Sequence, residues 1–183
     1  MAAMQSAKPE ENWANLPTRA RADPDLPIFG ARDEIVQAIA TKATTLIVGE
    51  TGSGKSTQVP QFLLKAGLAA AAKGRRCCVT QPRRVAVSTV CERVAAERGS
   101  PLGGEVGYAM RFERKTSKRT AVVFATDGLV VREMLGDARL DAYGVLVVDE
   151  AHERAVHTDV LLGLAKRAAA ARRGEKTPLR LVL

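Results

Sequence analysis

Aromatic side chains are scarce. Phe, Tyr and Trp together make up 4% of the 183 residues, with a single Trp. A core must therefore be built from Val, Leu and Ala. The chain has enough of these, being 46% hydrophobic and 26% charged, the ordinary balance of one globular domain. Cysteine and histidine are scarcer still. The three cysteines are Cys77, Cys78 and Cys91, with no C-x-x-C pair, and the two histidines are His152 and His157. That spacing argues against a structural zinc site. Reduced, buried thiols in an intracellular protein fit it best. No apolar run reaches the roughly 18 residues of a membrane span, and no apolar segment precedes a cleavage site near the N-terminus. No membrane partner is expected.

Positive charge is in excess, at a formal net +8. Such a balance attracts polyanions, nucleic acid or an anionic lipid surface. A solvated basic face explains it equally well, so charge alone does not decide. Residues 1–27 are mixed polar and carry Pro9, Pro17, Pro24 and Pro27, which reads as a flexible arm before a domain over 28–183.

From Asp33 onward the pattern alternates. Ile35, Val36, Ile39 and Ala40 predict a helix. Thr44–Val48, Cys77–Thr80, Ala121–Ala125, Val145–Val148 and Leu179–Leu183 predict short strands, with a further one over Tyr108–Phe112. Between them, helical stripes bury Val59, Phe62 and Leu63, then Val87, Val90, Cys91 and Val94, then Leu161, Leu164, Ala165 and Ala168. A Lys-Gly pair at 73–74 reads as a helix C-cap, Asp127 as the N-cap of a helix through Leu135, and Glu113–Arg119 as a charged turn. Strands that are apolar throughout, interleaved with helices, define an α/β fold. Its mostly parallel sheet is covered by helices on both faces. The chain stops on its last apolar strand, which suggests a piece of a longer protein.

The segment Gly49-Glu50-Thr51-Gly52-Ser53-Gly54-Lys55-Ser56 satisfies G-x-x-x-x-G-K-[ST] between a strand and a helix. Small residues let the backbone curl so that successive N–H groups face a phosphate, and the helix adds its positive end. Lys55 is placed to meet the β and γ phosphates, and Ser56 offers a hydroxyl to Mg²⁺. A nucleoside triphosphate follows as ligand. A second acidic element must complete such a site. Asp149 and Glu150, at the end of an apolar strand, are the candidates: Asp149 for the metal, Glu150 for the metal or the attacking water. His152 is either a relay from bound nucleotide or a satisfied structural histidine. His157 reads as structural or solvated.

Other polar groups follow the remaining strands. Arg83 and Arg84 stand after the second strand, Arg111 and Phe112 after the short strand, and Thr126 opens Thr126-Asp127-Gly128. Forked guanidinium donors and a helix N-terminus are good phosphate ligands. Each alone is equally well a cap or a solvated face. Together they favour a nucleic-acid track.

With these blocks in view, the sequence resembles the DEAH-box family of RNA helicases. The matching blocks are GETGSGKSTQVPQF, TQPRRVAVSTVCERVA, VGYAMRFE, TDGLVVRE and DEAHERAVHTDVLLGLAK, in the family's order, over about residues 25–183. The resemblance implies the first of two RecA-like domains and an ATP-dependent enzyme that moves along, unwinds or remodels RNA. ATP and Mg²⁺ would be its cofactors and single-stranded RNA its partner. By position, Gly52 to Thr57 would hold the triphosphate, Lys55, Asp149, Glu150 and His152 would serve catalysis and coupling, and Arg93 would stack on the base. Arg83, Arg84, Arg111, Phe112 and Thr126 would follow RNA. Ser56 stands where the family more often has Thr. The resemblance further implies a possible activator protein, a nuclear or nucleolar location and a monomeric piece. That piece would turn ATP over slowly, because the chain ends before the family's Ser-Ala-Thr motif and second domain. Rival readings are an ATPase that does not act on nucleic acid, a small-molecule kinase, and a non-catalytic RNA-binding module. The first does not account for the arginine blocks, and the second does not account for the Asp149 block.

Overall fold

The computed structural model describes residues 25–71 and 75–183. Most of the expected arm and the Lys73-Gly74 cap lie outside them. A 3₁₀ turn over Pro27–Ala31 leads into α1, Arg32–Thr41, which buries Ile35 and Ile39. Strand β1 is Thr44–Thr45 and α2 is Lys55–Lys65. They are followed by β2, Arg76–Gln81, and α3, Arg84–Glu97. Next come β3, Val106–Met110, β4, Glu113–Lys115, and β5, Val122–Thr126. Helix α4 is Asp127–Gly136, β6 is Tyr143–Val148, α5 is Val156–Ala171 and β7 is Arg180–Val182.

The strands form one seven-stranded sheet in the order β1-β7-β6-β2-β5-β3-β4. Every pairing is parallel except the β3–β4 hairpin. Because strand residues alternate sides, β2 feeds two cores. Cys77 and Val79 enter a core with side chains of α1, α2 and α3, whereas Cys78 enters one with α4 and α5. Both faces are therefore covered, and the central strands can be apolar on both sides.

Four local expectations change. The regular strand expected over Thr44–Val48 is confined to Thr44–Thr45, and Leu46 and Val48 are exposed. The backbone still follows the end of β7 as far as Ile47, with Leu183 N–H donating to the Thr45 carbonyl at 3.0 Å and Ile47 N–H to the Leu183 carbonyl at 2.7 Å, before the glycine turn begins. The charged turn expected at Glu113–Arg119 begins as a strand, since its backbone pairs with β3 while its side chains stay in solvent. Phe112 does not extend β3. It occupies the hairpin turn at φ 68°. Asp127 is not a cap. Thr126 holds the N-cap position, and the buried Asp127 carboxylate accepts a hydrogen bond from Thr158 of α5. Strand β7 runs between β1 and β6.

Candidate functional site

The turn from Gly49 to Gly54 joins β1 to α2 at the carboxyl end of the parallel strands. Gly52 and Gly54 adopt φ of 84° and 97°, backbone that other residues rarely take. A side chain on Gly54 would also press on Leu26 and Ile28, each 3.1 Å from its Cβ position. Leu26 and the 3₁₀ turn thus back the loop, and Ile28 N–H bonds the Ser53 carbonyl. The Lys55 ammonium donates to the carbonyls of Gly49 at 2.5 Å and Glu50 at 2.8 Å. This contact holds the lysine inside the curl of its own loop. Ser56 and Thr57 follow on the first turn of α2, where Thr57 Oγ1 donates to the Gly54 carbonyl. The unpaired N–H groups of that turn make it a ready anion site.

The end of β6 delivers Asp149 to the same end of the sheet. Its backbone N–H bonds the Thr80 carbonyl of β2. One carboxylate oxygen accepts from Gln81 Nε2 at 2.5 Å and the other from the Glu150 N–H at 2.9 Å. The carboxylate is thereby fixed in direction. Glu150 and Arg154 both stand at φ 52°, one on each side of a 3₁₀ turn, Ala151–Glu153. A non-glycine pair in this region is held by its surroundings. Here Arg154 makes a forked bond to Asp159 at 2.8 and 2.9 Å, tying the turn to α5. That hydrogen bond holds the Asp159 carboxyl below the usual range. Glu150 Oε2 lies 3.3 Å from His152 Nε2, and the imidazole is largely exposed. His157 packs its ring against Gly128, where a Cβ would meet Cδ2 at 3.3 Å.

These segments border one cleft of about 630 Å³. Its wall takes in Gly49 to Thr57, apart from Glu50 and Ser53, together with Asp149, Glu150, His152 and Arg93. Residues far apart in sequence thus meet. The donor set suits Mg²⁺: one hydroxyl and two carboxylates, all oxygen, with a phosphate left to complete the shell. Among the described residues no group of three or more His, Cys, Asp and Glu could cage a metal without such a ligand.

The residues expected along a nucleic acid do not line this cleft. They stand beyond it, after β2, β3 and β5. Arg83 pairs with Glu153 at 3.0 Å, linking the start of α3 to the 3₁₀ turn behind Glu150. Arg84 donates to the Arg111 carbonyl at 3.0 Å and lies 3.9 Å from Glu113. The Arg111 guanidinium sits over the Phe112 ring at 4.7 Å, and that ring is 93% exposed. Thr126 ends β5. Gln81, Glu153 and Glu97 escaped sequence reading. Gln81 and Glu153 act through partners distant in the chain, such as the 68-residue separation of Gln81 and Asp149, and the contacts that bury Glu97 come from Gln58 and Gln61 of another helix.

The parallel sheet with two helical layers and the glycine turn at its carboxyl end define a RecA-like α/β domain with a phosphate-loop motif. The model of the DEAD/DEAH box helicase family matches residues 31–173. The chain is 54% identical over 142 residues to the probable ATP-dependent RNA helicase DHX35 homolog of Caenorhabditis elegans. It is 52% identical over 143 residues to the probable ATP-dependent RNA helicase DHX35 of Homo sapiens. Each alignment covers 78% of this chain, but 19% and 20% of the relative. The chain belongs to the DEAD/DEAH box helicase family, and it spans about a fifth of the length of the curated relatives it matches.

Proposed function

We propose that this chain provides the ATP-binding wall and part of the RNA path of an ATP-dependent RNA helicase. The observation that carries the reading is the single cleft in which Lys55 and Ser56 meet Asp149, Glu150 and His152. The names of the two relatives point the same way.

In this reading the backbone of Gly49 to Ser56 binds the phosphates of ATP, and Lys55 exchanges its loop carbonyls for phosphate oxygens. Ser56 and Asp149 would hold Mg²⁺, which would supply charge neutralisation to the phosphates. Gln81 keeps Asp149 turned toward it. Glu150 accepts a proton from the attacking water. The new P–O bond forms at the γ phosphorus, the bond to the β-phosphate oxygen breaks, and ADP leaves with phosphate. His152, in contact with Glu150, passes the state of that carboxylate to the surroundings. Arg84, Arg111 and Thr126 take RNA phosphates, and Phe112 offers an exposed face to a base.

Filter binding of labelled single-stranded RNA tests the nucleic-acid half. Arg84→Ala and Phe112→Ala should each weaken retention by about fivefold or more, whatever the RNA sequence. Affinity should fall as salt rises, and less steeply for Arg84→Ala, by roughly 0.7 in log–log slope. Unchanged retention by the double variant would remove this surface from the RNA path.

A further inference from the structure

Glu97 is the most enclosed carboxylate that contacts a cleft residue. It ends α3, and its side chain is 1% exposed. A carboxylate so placed must be fully partnered, because burial strips its water. Its partners come from two helices. Oε2 accepts from Gln58 Nε2 at 2.8 Å and from Gln61 Nε2 at 2.7 Å. Oε1 accepts from Arg93 Nε at 2.8 Å. Gln58 and Gln61 are themselves buried and belong to α2, the helix that begins at Lys55. Arg93 lies one turn before Glu97 on α3, is 55% exposed, and lines the cleft.

Resting on the nucleotide reading above, we propose that Glu97 is a positioning residue for the base end of the cleft. It fixes the plane of the Arg93 guanidinium as a platform for a nucleobase and ties that platform to the phosphate-binding helix. Two facts of geometry support this. Nε lies in the guanidinium plane, so a carboxylate that holds Nε restricts rotation of the whole fork while leaving its faces free. An exposed pair one helical turn apart would hold that plane loosely, because both side chains are mobile. Here one partner is immobilised by the two α2 amides, and Arg93 alone remains to be ordered. A flat cation with open faces stacks on any base and makes no use of the base edge. The stacking role of Arg93 is what the family resemblance already implies; the geometry adds the carboxylate that orients it. Because the same carboxylate grips α2, the base platform and the phosphate turn move as one piece.

Calorimetric titration of the full chain with two ligands, ATP and inorganic tripolyphosphate, both with Mg²⁺, separates this from a structural role. Glu97→Gln keeps an acceptor for the α2 amides and removes the charge that holds Arg93. Arg93→Lys keeps the charge and removes the plane. Each should weaken ATP by about tenfold and leave tripolyphosphate unchanged, and the double variant should be no weaker than either. The lost discrimination should be the same with GTP. If tripolyphosphate weakens in step with ATP, the network supports only the phosphate turn and the proposal is wrong. It is equally wrong if Arg93→Lys weakens ATP while Glu97→Gln does not. A wild-type chain that binds neither ligand fails earlier, on the nucleotide reading itself. Glu97→Ala is the less useful variant because it strands two buried amides.

Discussion

Arg172 is buried at 2% exposure, and its guanidinium binds the carbonyls of Leu140 at 2.8 Å, Tyr143 at 2.7 Å and Thr177 at 2.7 Å. It clamps the loop before β6 to the segment before β7, the approaches to two neighbouring strands. Its Nε has no hydrogen-bond partner, and Asp141 and Glu175 stand 3.9 and 4.0 Å away. Arg172→Ala leaves three carbonyls to find new donors. Urea denaturation should show a loss of about 3 kcal/mol, and Arg172→Lys should recover only part of it. In the sequence this residue sits in Ala-Arg-Arg-Gly and looks like surface charge. Only the closure of two distant loops around it shows otherwise. The cysteines were legible, because each sits in an apolar pattern. Burial pushes Cys77 and Cys91 up to about 12 and Cys78 well up as well. At about pH 8 a thiol reagent should therefore label none of them in the native chain and all of them after unfolding. The sign of the linkage follows. Below the ordinary value of 9.0 both states keep their thiol protons and there is no effect. Between 9.0 and about 12 the unfolded chain ionises and the folded chain does not, so stability should fall as pH rises.

Among the elements, the β3–β4 hairpin is the one that sequence pattern describes least well. Glu113, Arg114 and Lys115 are all exposed, so no hydrophobic alternation marks β4. The hairpin is built by backbone pairing, a Tyr108–Glu113 hydrogen bond across it, and one glycine. A Cβ on Gly107 would lie 2.2 Å from the Lys115 carbonyl oxygen, which is backbone and cannot turn aside. Gly107→Ala must push β4 off the sheet. It should cost about 2 kcal/mol or more in a thermal melt. RNA retention should fall with it, because the hairpin turn carries Arg111 and Phe112. A variant as stable as the wild type would show that β4 is free to move. The helices, by contrast, were legible from their stripes. Val87, Cys91 and Val94 are all at 0% exposure, and Val90, expected in the same stripe, is partly buried against the core. Strand β1 was overestimated because Leu46, Ile47 and Val48 are apolar for a different reason. Leu46 and Val48 border the cleft instead of filling the core, whereas Ile47 borders it and also packs against the core.

At the scale of the molecule, strand order decides what the strand ends can do together. The glycine turn after β1 and the acidic end of β6 lie on one side of β2, and the ends of β5 and β3 lie on the other. In the proposed function anionic chemistry is thereby divided: a cleft for phosphates with a metal, and an open border of arginines for a polymer. Bonds that cross the division come from β2 and the start of α3. Gln81 holds Asp149, and Arg83 holds Glu153. Both motifs of the cleft could be read from sequence, since their residue types and spacing follow from phosphate chemistry. Their convergence could be expected from the parallel sheet, but the partners that aim them could not, because they are set by strand order. The cleft between Lys55 and Asp149 is proposed as a nucleotide site. Calorimetric titration of the chain with Mg-ATP tests it most directly. A nucleotide site here should give weak but saturable binding, reduced by about a hundredfold in Lys55→Ala and in a chain stripped of Mg²⁺. Binding of equal strength in the wild type and Lys55→Ala, or none in the wild type, would contradict it.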